Sequence, residues 1–496
     1  MKSFVWKYLP VIVLLPFLFL VLSFTSECSF FFEMNEWVDV NCYFTVAKVM
    51  NSGGVLYRDI YEQKGIYLYW IHQLAVLGGG GTYHLMFLFE YLLGLVFIYF
   101  TYRILSLYFS NKIKKTIATM IIVVAYYITF SFVMGDSSEE MIIPLYVIAM
   151  YFALRHIKLK EPMRLYKPLL IGLFLGIALF VKFTLVSFFV AFFLLVLIFY
   201  LIDKNYKGSI LFLLTGIGGF ILSIIPVLLY FGLNHAFSDL WNVYFYNNMF
   251  LYSSANDHNF FNSILMFFTS YFKAYGYGYA YYILIIIGFI YMIVAHKFKG
   301  NRVTKFILFS YIITNIIIFI GGRSYMYYGL VNIIFSFTGI LGIAYFIPKI
   351  KKVNKLITNH FNVVSIGSGL FLLVVAFIAT PNSYEMYKSR DQYVQYQFKD
   401  IINSEENVTL LNYGRLDIGL YYLTGINPST KYFCGLNIPL QAIIDEHNRI
   451  VENGEVTYVV AYALEVPNIY NKYKLVAQKD YTVYFDTYTY YLYRLK

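Results

Sequence analysis

A cluster of acids and cations near the start of this chain has the residue types and order for chemistry on a phosphate. Glu36-Trp37-Val38-Asp39 is followed some twenty residues on by Tyr57-Arg58-Asp59-Ile60-Tyr61-Glu62-Gln63-Lys64-Gly65. A short later loop, Gly135-Asp136-Ser137-Ser138-Glu139-Glu140-Met141, adds acids, Glu90 lies inside an apolar stretch, and Lys182 and Arg323 sit at tight turns. Ionisable groups at such depth are costly in lipid and usually face a cavity or a partner. Together they suit a reaction in which one carboxylate removes a proton from an incoming hydroxyl. The cations would then hold a lipid-linked phosphate as it leaves with growing negative charge.

Each residue also has a plainer reading. Asp39 opens an apolar-periodic segment and could cap a helix. Arg58 and Asp59 could pair with each other in a turn, and Lys64 could snorkel at an interface. Asp136 and Glu140 could be solvated loop acids, Glu90 could tie two spans together, and Lys182 could be an interface anchor.

Most of the chain must position these groups within a bilayer. It is 60% hydrophobic and 13% charged, with a mean hydropathy of +0.63, against about 25% charged residues in a soluble domain. About eleven apolar spans fit, at 8–24, 83–108, 116–134, 141–156, 168–184, 185–202, 209–233, 277–296, 305–321, 328–347 and 363–380. The net charge of +11 would suggest nucleic acid in a soluble protein, but its placement points to topology instead. Alternate loops hold Lys112, Lys114 and Lys115; Arg155, Lys158, Lys160, Arg164 and Lys167; Lys204 and Lys207; Lys297, Lys299, Arg302 and Lys305; and Lys349, Lys351, Lys352 and Lys355. The opposite loops carry the acids, Asp239 and Asp257 among them. By the positive-inside rule the N-terminus is then cytoplasmic and the C-terminus extracytoplasmic. The first apolar run follows Lys2 and Lys7 but is long for a signal peptide and is taken as a retained span.

Three regions stand outside this alternation. The first external loop, 25–82, has helical spacing at 39–51 and 65–77, as expected of helices lying in the interface plane. A second stretch, 234–276, repeats that pattern at 244–252 and continues into a segment that could be a further half-span. Beyond residue 380 the composition becomes that of a soluble domain. Strands are expected at 407–413, 457–462, 482–485 and 490–495, and a helix at 440–451, giving a small α/β domain. The cysteines, Cys28, Cys42 and Cys434, lack metal or redox spacing; Cys28 and Cys42 share a loop and could pair.

The order of these motifs resembles the GT-C glycosyltransferases. Asp39 after the first span, an interfacial helix, Gly-Val-Leu-Tyr-Arg-Asp, then Tyr-Glu-Gln-Lys-Gly is similar to the first external loop of family 39, the protein O-mannosyltransferases and aminoarabinose transferases. The resemblance implies that Asp39 is the catalytic carboxylate, that Lys64 contacts the lipid phosphate, and that Asp136 or Glu140 is a second acid. Val40 stands where the family has Glu, Gly65 where Pro is often found, and Glu90 where an Arg is common.

The expected architecture is a polytopic helical GT-C domain over 1–380, with the first external loop at 25–82, and an extracytoplasmic α/β domain over 381–496. The expected activity is inverting transfer of a hexose or pentose from a polyprenyl-phosphate carrier to an extracytoplasmic cell-wall glycan, lipid or protein, in the plasma membrane and with no nucleic-acid partner. Arg58, Asp59, Glu62, Lys64, Glu90 and Arg323 would bind substrate. No cofactor is certain from the sequence; the acids could gather around a divalent cation, Mg or Mn. A transporter or flippase for lipid-linked glycans is the alternative; it would place charge near mid-membrane, often with internal repeats.

Overall fold

The structure is a computed structural model that describes residues 2–251, 260–295, 301–346, 361–484 and 486–496. Asp257, Tyr252, Lys297, Lys299, Phe485 and the lysines of 349–355 lie outside the described residues. The chain divides into two compact units, each built from separate stretches.

The first unit comprises Met1–Ser26, Leu88–Ile225 and Asn259–Ser383. Its helices are α1 (Lys2–Thr25), most of α4 (His84–Leu105), α5 (Lys112–Tyr127), α6 (Ser138–Leu159), α7 (Tyr166–Leu179), α8 (Ser187–Ile202) and most of α9 (Tyr206–Leu233). Further helices run over Phe260–Tyr277, Tyr279–Val294, Arg302–Phe319, Phe337–Phe346 and Phe361–Ala379. A helix therefore occupies each expected apolar segment. Among the described residues, five are long and apolar enough to cross a bilayer, or seven if each of two bent pairs counts as one span, and three more apolar helices are shorter. This is a polytopic helical membrane protein.

Lipid gives little hydrophobic drive between helices, so close backbone approach and polar contacts hold them together. A Cβ on Gly172 would collide with the carbonyl oxygen of Gly216, and one on Gly219 with that of Leu169, so α7 and α9 pack backbone to backbone. Asn315 and Asn332 exchange side-chain hydrogen bonds at 2.9 and 3.0 Å, and Asn332 also donates to the Tyr282 hydroxyl at 2.9 Å. The expected half-span after residue 260 is a helix that meets Tyr279–Val294 at 106°.

The second unit comprises Glu27–Phe87, Pro226–His258 and Tyr384–Lys496, so the loop after the first helix groups with the C-terminal residues. Its interfacial-type helices are α2 (Val38–Asn51) and α3 (Ile66–Val76). Beyond α9, the expected helix at 244–252 appears as a π-helix over Leu240–Leu251. The C-terminal sheet has strands β1 (Leu410–Asn412), β2 (Tyr458–Tyr462), β3 (Tyr473–Val483) and β4 (Asp486–Leu495), in the order β1-β2-β4-β3. β1 and β2 pair in parallel and the other pairs are antiparallel. The helix Gln441–Asn453 lends Ile450 and Val451 to the core beneath Val459, Ala461 and Tyr493.

One sequence expectation needs correction here. Cys42 does not face Cys28; its sulfur lies 3.8 Å from that of Cys434, while Cys28 accepts a hydrogen bond from Asn35. Nearness along the chain misled, because α2 turns the Cys42 side of its surface toward a loop of the C-terminal domain.

Candidate active site

In the second unit, Asp39 lies at the start of α2 and Glu62 and Lys64 just ahead of α3, close enough for the Asp39 charge to act on Glu62. Asp39 is buried in the first turn of α2, where a carboxylate is favoured by the helix dipole. It is not the cap, a position held by Trp37. The Tyr43 and Tyr69 rings, 6.4 Å apart, join α2 to α3. Lys64 directly precedes Gly65, the N-cap of α3, which offers no side-chain cap to the first amides. Such amides favour an anion.

Glu62 organises this corner. It accepts hydrogen bonds from the Lys64 backbone N–H at 2.7 Å and from the Tyr69 hydroxyl, and one of its oxygens lies 3.9 Å from the Lys64 ammonium. Burial pushes its carboxyl above the usual range, the nearby Lys64 charge opposes that, and the Asp39 charge adds to it. The Lys64 ammonium also stands 5.7 Å from the Tyr43 ring centre.

Tyr57 holds the loop in place. Its φ of 69° is unusual for a bulky residue and costs about 1–3 kcal/mol. Stacking on Phe231 and Tyr244, at 5.5 and 6.2 Å, offsets that cost, and its hydroxyl donates to the Lys64 carbonyl at 2.5 Å. Asn248 secures the Gln63 carbonyl at 2.9 Å.

Arg58 and Asp59 pair with each other. They form an exposed two-bond ion pair at 3.1 and 3.0 Å, and Asp59 also accepts from the Val55 N–H.

The remaining expected residues lie in the first unit. Glu90 on α4 accepts from the Ser26 hydroxyl at 2.6 Å and from the Asp136 N–H at 2.8 Å; Glu140 accepts from the same N–H at 2.9 Å. The turn that presents this N–H is left-handed at both Gly135 (φ 88°) and Asp136 (φ 60°). A Cβ on Gly135 would fall 2.5 Å from a Glu90 oxygen, so only glycine fits. Ser137 caps α6 by accepting from the Glu140 N–H. Lys182 is spent on Glu139 at 2.5 Å and on the Tyr328 ring at 4.0 Å. Arg323 is half-buried in the turn after Arg302–Phe319.

Sequence reasoning missed two buried clusters in the second unit. Lys388 contacts Glu36 at 3.2 Å, Glu385 and the Tyr481 hydroxyl, and Glu27 accepts from the Glu36 N–H. Burial pushes Glu36 up to about 7 against the pull of Lys388. Asp417 accepts from the Thr45 hydroxyl of α2 at 2.6 Å, and burial pushes it up to about 6. The sequence signals were Glu36 ahead of α2 and Thr45 within it; their partners, Lys388 and Asp417, lie hundreds of residues away.

Among the described residues, no three or more His, Cys, Asp or Glu side chains are grouped to hold a metal ion. Glu90 and Glu140 share a backbone N–H, and Glu36 and Glu385 share the Lys388 ammonium. No step below passes through a metal ion.

A polytopic bundle, two helices in the loop after the first apolar helix and a small C-terminal sheet make up the fold. No family model matches the sequence, and no curated protein matches it. Among solved structures, ArnT from Cupriavidus metallidurans bound to undecaprenyl phosphate matches with 12% identity and a TM-score of 0.56, covering 98% of this chain and 98% of that one. The apo state of ArnT matches with the same identity and TM-score, covering 99% and 98%. At such identity the likeness is one of fold, and it runs along nearly the whole chain.

Proposed function

We propose that this protein is a membrane glycosyltransferase that moves a sugar from a polyprenyl-phosphate carrier to a glycan, lipid or protein acceptor. It would work in the plasma membrane of the cell envelope, with its N-terminus in the cytoplasm and its second unit outside. The observation that carries this reading is the buried Asp39–Glu62–Lys64 corner at the start of α2 and α3. Support comes from the ArnT likeness, since that protein was solved with undecaprenyl phosphate.

In the proposed reaction Asp39 takes the proton of the acceptor hydroxyl. The oxygen attacks the anomeric carbon from the side opposite the phosphate, so configuration inverts. The bond between that carbon and the phosphate oxygen breaks, and the electron pair leaves with the prenyl phosphate. Lys64 and the first amides of α3 hold the charge that develops there. A phosphate is a good leaving group and requires no acid.

The test is release of free prenyl phosphate from polyprenyl-phosphate sugars by purified protein. Asp39→Asn should lower kcat by about a hundredfold or more, while Lys64→Met should both weaken donor binding and lower kcat. Equal activity of wild type and Asp39→Asn would reject Asp39 as the base. Parallel Asp136→Asn, Glu140→Gln, Glu90→Gln and Arg323→Gln assays separate a substrate role from the hydrogen bonding described above.

A further inference from the structure

We propose a separate binding site for the phosphate of an anionic phospholipid headgroup, between α4, α6 and the start of α7. A cavity of about 410 Å³ there is walled by Tyr99, Arg103, Tyr151, Arg155, Arg164 and Lys167, among others. Its lining carries four cations and one carboxylate, Glu161, so it has a surplus of positive charge. That carboxylate is committed to Arg155.

The positive-inside rule accounts for cations at this end of the unit, but only for cations in water. Lys167 is 5% exposed, and among the described residues no carboxylate lies within ion-pair distance of its ammonium, which stands 5.4 Å from the Phe152 ring centre. The Nε of Arg155 is likewise buried, with no hydrogen-bond partner among the described residues. Burying a charged or polar donor without an acceptor is costly.

The remaining donors are fixed in place. Arg103 donates to the Tyr99 and Tyr151 hydroxyls, both at 2.7 Å, and Arg155 donates to the Tyr151 hydroxyl at 2.9 Å. Lys167 lies in the first turn of α7. Forked guanidiniums and an ammonium are the groups that recognise a phosphodiester. A lipid source is favoured over free phosphate because Tyr99 and Tyr166, half exposed, stand at the rim where two membrane-type helices end.

The full-length protein, stripped of lipid in neutral detergent, would be titrated with phosphatidylglycerol and followed by native mass spectrometry and thermal melting. Phosphatidylcholine with the same acyl chains and inorganic phosphate are the comparison ligands. Phosphatidylglycerol should stay bound and raise Tm, phosphatidylcholine should not, and Arg103→Gln/Lys167→Met should weaken phosphatidylglycerol binding about tenfold. Arg164→Gln, at an exposed rim position, gives a smaller loss in the same direction and covers the case in which the double variant fails to fold. Equal binding of the two lipids, binding unchanged in Arg164→Gln and the double variant, or full displacement by equimolar inorganic phosphate would overturn the proposal.

Discussion

Cys42 and Cys434 face each other with 3.8 Å between their sulfurs, across 392 residues of sequence. Both are buried, and burial pushes both thiols up. In the folded protein they should resist alkylation, because the thiolate is the reactive form. A disulfide-type oxidant should consume these two thiols as a pair and leave Cys28 to be counted in denaturant. Mass mapping that joined Cys28 to Cys42 instead would contradict the arrangement.

Lys64 and Glu62 should show a split between stability and activity. Lys64→Met leaves the buried Glu62 carboxylate with less compensation and should cost about 2 kcal/mol. Glu62→Gln/Lys64→Met should regain most of that stability without regaining sugar transfer. Recovery of both by the double variant would show that Lys64 serves only to neutralise Glu62.

Asp417 should give acid a stabilising effect. Its carboxyl stands at about 6 when folded against 3.8 for the free group. Its contribution is therefore fully present below pH 3.8 and is lost as pH rises through about 6. The shift corresponds to about 3 kcal/mol at most. Asp417→Asn should flatten the pH dependence of Tm across this window while keeping an acceptor for Thr45. An unchanged slope would remove Asp417 from the account.

Lys182 and Glu139 are a buried pair, so losing one partner should be worse than losing both. Lys182→Met alone should destabilise by about 3 kcal/mol, and Glu139→Gln/Lys182→Met by much less. The check is a double-mutant cycle on detergent-phase melting, where additive losses would show that the two charges do not depend on each other.

The helices were readable because apolar length and periodicity are local properties; each expected apolar segment holds one. The strand Tyr473–Val483 was only partly visible. Lys474, Gln478, Lys479 and Asp480 make it polar, and as the outermost strand of the sheet it pairs on one side only, with β4. The bend of 106° after Tyr277 was also hidden, because hydropathy does not report direction.

Composition and the order of motifs alone established a multi-span membrane protein with an acid-and-cation loop after its first apolar helix and strands near its end. Those properties follow from side-chain solubility and from spacing along one chain. Tertiary structure decided which charges meet. It paired Lys182 with Glu139, set Lys388 between Glu36 and Glu385, and brought Asp417 and Cys434 to α2. Burial makes an unpaired charge expensive, and the partner that relieves it can come from anywhere the fold brings close.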